Sequence, residues 1–368
     1  MFVTERPSLL AAVERLLPLA RKDAEVTVQA TEPDLLTCTV GTKTCGIRST
    51  GLGRILLPGS VRLPLAPLVR ALQCGTGACR TEVASNGSTA VVVIDPDGAG
   101  RKFTFTLDAG EAPTEWPEPG PEHTVAELPS SAFADLVRRA AFAALNQPPE
   151  KSAWELRGVL IGIDHGRVSC SATDALLYVT ASVPAETVTK QRSRSLLLPG
   201  STLRAWAKAS HEGESVCLAL TDDVATFAVG AVSAWSRAMP GEFPPPAKIL
   251  TTPPHSLSVK TERFLTELTA ALAVADPKAP VVTLTNKPGT LTISTTTGRM
   301  QTRVTVPTVD APAQRIEATV DGKRLAAVVR RWNTEPRITI GYGTPRDPLM
   351  LTAGDGRAVL APHREREG

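Results

Sequence analysis

The chain has 368 residues, of which 42% are hydrophobic, 4% aromatic and 21% charged, with a formal net charge of +3. That length exceeds one ordinary core and predicts two or three domains, while the hydrophobic share excludes wholesale disorder. The mild positive balance permits a polyanionic partner without requiring one, so the placement of the cations decides.

The opening "MFVTERPSLLAAVERLL" mixes acids with apolar residues and has no small-residue cleavage site, which argues against a secretory signal. Apolar runs such as "AVVVI" at 90–94 are too short to span a bilayer, so a cytoplasmic protein without membrane contact is expected. Helical periodicity then recurs along the chain. "PSLLAAVERLLPLARK" (7–22) reads as a first helix, kinked or ended by Pro18, and "VRLPLAPLVRAL" (61–72) as a second. "SSAFADLVRRAAFAAL" (130–145) sets Phe133, Leu136, Val137 and Ala140 on one face behind a serine start that can cap it. "TLRAWAKAS" (202–210) and "TERFLTELTAAL" (261–272) follow, the latter with Phe264, Leu265, Leu268 and Leu272 in register. The last, "DGKRLAAVVRRW" (321–332), has the stripe Leu325, Val328, Val329 and Trp332. Alternating strands fill the intervals, for example "GVLIGIDHGRVSCSAT" and "VVTLTNKPGTLTISTTT", with turn dipeptides at Asn86-Gly87, His165-Gly166 and Asp355-Gly356.

The sequence also repeats. "LLPGS" occurs at 56–60 and 197–201, each copy leading toward a helical stretch. "GEAPTEWPEPGPEH" (110–123) matches "GEFPPPAKILTTPPH" (241–255), from Gly110 opposite Gly241 to His123 opposite His255. Proline runs remove backbone donors and fix φ, so neither a central strand nor a helix passes through them, and they mark joints between units. The expected architecture is α+β, with three similar domains at 1–122, 123–253 and 254–368, each carrying two helices packed on antiparallel sheet.

No nucleotide loop, zinc-protease or nucleophile-elbow motif is present, and His123, His165, His211, His255 and His363 are scattered singly. Cys38, Cys45, Cys74, Cys79, Cys170 and Cys217 lack C-x-x-C spacing and read as small hydrophobes in strands. A non-catalytic protein without metal or cofactor is expected.

The cations sit on the helices. Arg15, Arg21 and Lys22, Arg70, Arg138 and Arg139, Arg204 and Lys208, Arg263, and Lys323, Arg324, Arg330 and Arg331 recur from one helix to the next, with acids mainly near helix starts. Cations on a solvated face are ordinary, but this recurrence fits a partner held by its phosphates. Base reading has no motif to support it.

Four stretches in the correct order resemble the bacterial DNA polymerase sliding clamp family. "LRGVLIGIDHGRVSCSATDALLYV" (156–179) is similar to its L-N-G-V-L…A-T-D-G-H-R-L segment and "LLLPGSTLRAW" to V-P-R-K-x-L. "SRAMPGEFPPPAKIL" is similar to L-x-G-x-F-P-x-Y-x-x-V-x-P, and "AVLAPHR" (358–364) to the closing V-x-M-P-M-R. The resemblance implies a head-to-tail homodimer whose six domains form a ring around double-stranded DNA, with helices lining the hole. The expected DNA-facing residues are Arg21, Lys22, Arg70, Arg138, Arg139, Arg204, Lys208, Arg263, Lys323, Arg330 and Arg331.

It further implies an apolar groove that takes short Gln-x-x-Leu-Phe-type peptides from DNA polymerase and clamp-loader subunits. The matching positions are Leu156, Thr173, Tyr178, Pro244, Lys248, Ile249, Val359, Leu360, Pro362, His363 and Arg364. Departures accompany the match. Ala175, Leu176 and Leu177 stand where the family has Gly-His-Arg, and Gly200 and Ser201 where it has Arg-Lys. These imply a specialised or secondary clamp with altered partner preference. The alternative is a clamp-like paralog that binds or sequesters clamp partners without loading on DNA.

Overall fold

The computed structural model describes residues 2–17, 24–31, 34–42, 44–53, 55, 57–75, 79–86, 89–95, 100–106, 117, 123–145, 154–187, 193–210, 214–297, 300–310 and 315–363. The fold is α+β, and the described strand pairs are antiparallel. Its recurring device is a strand that turns directly into a helix. Phe2–Glu5 enters Arg6–Glu14, Gly59–Pro64 enters Leu65–Gln73, and Thr124–Pro129 enters Ser130–Ala140. Arg194–Pro199 enters Gly200–Ala209, His255–Lys260 enters Thr261–Leu272, and Glu317–Asp321 enters Gly322–Arg331. Proline ends three of these strands, fixing φ at the junction without requiring the donor that a helix start leaves unpaired.

The chain forms two compact units, 1–134 with 163–166 and 185–238, and 135–162 with 167–184 and 239–368. The middle third, 123–253, thus contributes to both.

In the first unit a four-stranded sheet runs in the order Phe2–Glu5, Arg80–Ser85, Thr89–Ile94, Arg101–Thr106. A second sheet has nine strands, and within it Val232–Arg237 pairs with Cys45–Leu52 in the register Val232 opposite Ser49. Its core includes Leu9, Val13 and Leu16, with Leu65, Leu68 and Leu72, all fully buried. A second cluster stacks Trp206 on Phe227 at 5.3 Å, with Phe133 tilted against the same ring at 5.3 Å.

In the second unit a four-stranded sheet runs Met300–Pro307, Thr290–Thr297, Val281–Lys287, Glu317–Asp321. Seven consecutive strands of the eight-stranded sheet follow the order Gly158–Asp164, Arg167–Thr173, Leu177–Pro184, Gly356–Leu360, Leu349–Ala353, Arg337–Tyr342, His255–Lys260. The helices Thr261–Leu272 and Gly322–Arg331 pack together over Phe264, Leu268, Leu325, Val328 and Val329. They meet closely at Gly322, where a Cβ would stand 2.5 Å from Leu272 Cδ2.

Several expected boundaries shift. The 61–72 stretch is strand to Pro64 and helical only from Leu65, because the Leu-Pro step holds the chain extended. The two "LLPGS" copies are therefore not equivalent: the later one is itself a strand-to-helix junction, whereas the earlier one leads into strand Gly59–Pro64. The first helix is described from Arg6 to Glu14, and Pro18 lies outside the described residues, as do 110–116 and 118–122 of the earlier proline segment. His165-Gly166 forms the expected hairpin turn, with φ of 43° and 73°. The other tight turn sits at Gly354, φ 52°, one residue earlier than the Asp355-Gly356 dipeptide suggests. Cys38 and Cys170 are buried in strands, and burial pushes both thiols up to about 12. Among the described residues no cluster of metal-binding side chains occurs.

Candidate functional site

The second unit carries an apolar groove. Strand Leu177–Pro184 pairs with Gly356–Leu360, setting Tyr178 opposite Val359 and Leu177 opposite Leu360. Val359 also lies opposite Met350 on the other flank. Tyr178, Val359 and Met350 form a buried cluster, and Phe243, Ile249 and Leu250 pack on it while staying partly exposed. The proline run explains how. Residues 242–245 lie outside helix and strand, with Pro245 extended, and Pro246–Ile249 makes one helical turn that Pro246 can start because its missing donor would be unpaired there. Phe243 thereby faces Tyr178, with ring centroids 6.1 Å apart, and Ile249 and Leu250 reach the same cluster. Burial pushes the Tyr178 phenol up, and the Ser171 and Thr180 hydroxyls beside it pull the other way.

Beside the cluster lies a cavity of about 460 Å³, lined by Leu176, Asp321, Arg324, Leu360, Ala361, Pro362 and His363. One wall is the turn 173–177. Thr173 Oγ1 accepts from Ala175 N–H at 3.1 Å, and Asp174 Oδ1 accepts from Leu176 and Leu177 N–H at 3.0 and 2.7 Å. Ala175 has φ 74°, the left-handed conformation that glycine adopts without strain. The other wall is the chain after the last strand, pinned by Ala361 N–H to Leu176 O at 2.8 Å and His363 N–H to Thr319 O at 2.7 Å. Apolar walls with a few fixed polar groups suit capture of a short amphipathic segment.

Of the residues expected here, Tyr178, Ile249 and Val359 share the cluster, Leu360, Pro362 and His363 line the cavity, and Thr173 builds the turn. Pro244 is half-buried between groove residues, while Lys248 is exposed. Leu156 is half-buried and accepts Leu145 N–H at 2.8 Å through its carbonyl. Arg364 lies outside the described residues. The sequence reading missed Phe243, Leu250, Met350, Asp321 and Arg324 as groove residues. The first two flank the quoted proline run. Met350 is legible only through its register opposite Val359.

The helix cations divide sharply. Arg139 does not face outward: it is only 8% exposed, with Nη1 on Glu335 Oε1 at 2.6 Å, Nη2 donating to Ala353 O at 2.7 Å, and its guanidinium over Trp332. It is a packing residue of the second unit, which removes it from the expected DNA-facing set. Arg138 is half-exposed, paired with Asp135 and donating to Arg331 O. Arg204 is half-buried, and burial lowers its pKa. Arg263 is exposed and pairs with Glu267 at 2.8 Å, and Lys323 donates to Pro277 O at 2.6 Å. Arg70, Lys208, Arg330 and Arg331 are exposed, and Arg21 and Lys22 lie outside the described residues.

Residues 127–245 match the model of a family described as DNA polymerase III beta subunit, central domain. The chain is similar to the beta sliding clamp of Halalkalibacterium halodurans, 24% identical over 240 residues and 64% of this chain, and spans 62% of that relative's length. Two solved structures share its fold from end to end. One is the DNA polymerase III subunit beta from Pseudomonas aeruginosa, 17% identical, with 99% of this chain and 100% of that chain covered at a TM-score of 0.87. The other is the DNA polymerase sliding clamp from Bacillus subtilis, 19% identical, with 99% of each chain covered at a TM-score of 0.87. Residues 127–245 thus match the central domain of the DNA polymerase III beta subunit, and the fold of the solved sliding clamps runs through the whole length of the chain.

Proposed function

We propose that the chain is a DNA sliding clamp: a non-catalytic processivity factor, built of three domains meeting near 122 and 253, that dimerises head to tail around duplex DNA. Its groove in the second unit would tether polymerase and clamp-loader subunits through short peptides, in the cytoplasm. The observation that carries this reading is the convergence of Tyr178, Ile249 and Val359, from three separate stretches, into one partly open apolar cluster. A buried core has no need of a proline-built wall that keeps Phe243, Ile249 and Leu250 at the surface. Exposed Arg70, Lys208, Arg330 and Arg331 suit weak contacts to phosphates, which hold without fixing position. The test is retention on DNA after loading by a clamp loader. A dimer that stays on nicked circular plasmid and runs off after linearisation supports enclosure, and equal loss from both forms refutes it.

One observation favours the peptide-binding paralog as the second reading. Arg138, Arg139 and Arg263 are engaged with Asp135, Glu335 and Glu267, leaving fewer cations for phosphates. Light scattering decides: a monomer at micromolar concentration supports this reading, and a dimer the first.

A further inference from the structure

We infer that Arg324 is a positioning residue for the groove, a brace that holds the strained 173–177 turn in the shape the cavity needs. The inference rests on the groove reading above. Arg324 stands in the first turn of helix Gly322–Arg331, yet its guanidinium reaches out of the helix. Its Nε donates to Asp174 Oδ2 at 2.7 Å and its Nη1 to Asp321 Oδ2 at 2.5 Å. Asp321 is itself fixed, because its Oδ1 caps the helix by accepting Arg324 N–H at 2.9 Å. Burial alone would lower the Arg324 pKa, but the hydrogen bond and charge of Asp174, then Asp321, leave it above its ordinary value.

The other end of the brace is the turn itself. The Asp174 side chain is 13% exposed, and both oxygens are used: Oδ2 by Arg324, Oδ1 by the amides of Leu176 and Leu177. Those amides belong to the residues on either side of the groove wall. Leu176 stands 51% exposed at the cavity mouth, and Leu177 is buried opposite Leu360. Between them and Asp174 lies Ala175 at φ 74°, a conformation an alanine leaves when nothing holds it. Glycine at this position would hold the turn at little cost. With alanine here, the turn depends on the carboxylate's two amide bonds, and the carboxylate depends on Arg324.

The test has two arms. Hydrogen exchange on the full chain reads the turn directly: Arg324→Gln is expected to speed exchange at Leu176 and Leu177 about tenfold, and Arg324→Lys, which keeps one charged donor, by less. Unchanged protection at both amides overturns the inference, whatever the peptide does. The second arm measures affinity for a fluorescein-labelled peptide carrying a Gln-x-x-Leu-Phe motif. Arg324→Gln should weaken binding about five- to tenfold, and most of that loss should vanish in an Ala175→Gly background, where the turn needs no brace. An equal loss in both backgrounds would mean that Arg324 touches the peptide itself, and would overturn positioning. Failure of the unaltered chain to bind the peptide at all would instead count against the groove reading, with the exchange arm still deciding the brace.

Discussion

In the sequence the groove residues are marked by resemblance to a family motif and the helix cations by their recurrence from helix to helix, and the two sets turn out differently. At the groove, apolar residues at 178, 243, 249, 250, 350 and 359 converge on one cluster. On the helices, cations that look alike in sequence split into the buried Arg139, the paired Arg138 and Arg263, and the exposed Arg70, Lys208, Arg330 and Arg331. Apolar side chains have one low-energy fate, burial against each other, so their pattern predicts their place. A guanidinium has several, since its long stem packs while its head finds a carboxylate, a carbonyl, a ring or a phosphate. Arg138 and Arg139 are neighbours with opposite fates because consecutive helix residues point about 100° apart.

The largest test of this contrast is Arg139→Ala. It would leave Glu335 without its partner and open space beside Trp332 and Gly356, where Arg139 Nη2 now fills the site of a missing Cβ. A loss of about 3 kcal/mol is expected, read as a fall in the urea midpoint, because removing one partner strands a half-buried charge. Arg330→Ala, on an exposed face, should leave the midpoint within about 0.5 kcal/mol. Equal effects of the two would erase the distinction drawn between them.

On the groove side, Phe243→Ala should weaken binding of the labelled peptide by about 2 kcal/mol, roughly thirtyfold, with the melting temperature nearly unchanged. Phe243 is partly exposed and tilted against Tyr178, so its ring is available to a ligand in a way that Tyr178, 3% exposed, is not. A peptide affinity indifferent to Phe243 would mean that the open side of the cluster is not where the ligand sits.

The same contrast explains how much the sequence disclosed. The α+β class, the helix at 261–272 to the residue, and the pairing of proline run with apolar flanks all follow from local rules of period, φ restriction and missing donors. What stayed hidden is non-local. Met350 enters the groove only through strand register, and Arg324 reads as one more helix cation until Asp174, 150 residues away, is seen beside it. The repeated "LLPGS" misled because five shared residues do not fix structure: the later copy starts a helix, while Pro64 keeps the chain extended beyond the earlier one.

A smaller effect is expected on the helices. Replacing Arg330 or Lys208 with alanine should lower the dependence of DNA affinity on salt by about one contact each, uniformly across sequences. Arg263→Ala should do less, since Glu267 at 2.8 Å already occupies that guanidinium. If Arg263 proved the strongest of the three, helix pairing would be no guide to which cations meet phosphate.

The smallest expected effect separates strain from packing at the groove's rim. Ala175 at φ 74° costs on the order of 1 kcal/mol relative to an unstrained residue. Glycine would remove that cost but gain freedom in the unfolded chain, which returns roughly half of it. Ala175→Gly should therefore stabilise by about 0.5 kcal/mol, a rise of about 1 °C in melting temperature for a chain of this size. The Ala175 side chain is exposed, so almost no packing is lost to offset the gain. A clear destabilisation would show that the methyl group has a contact in the rim worth more than the strain, and that the turn is held by packing and not by the Asp174 hydrogen bonds.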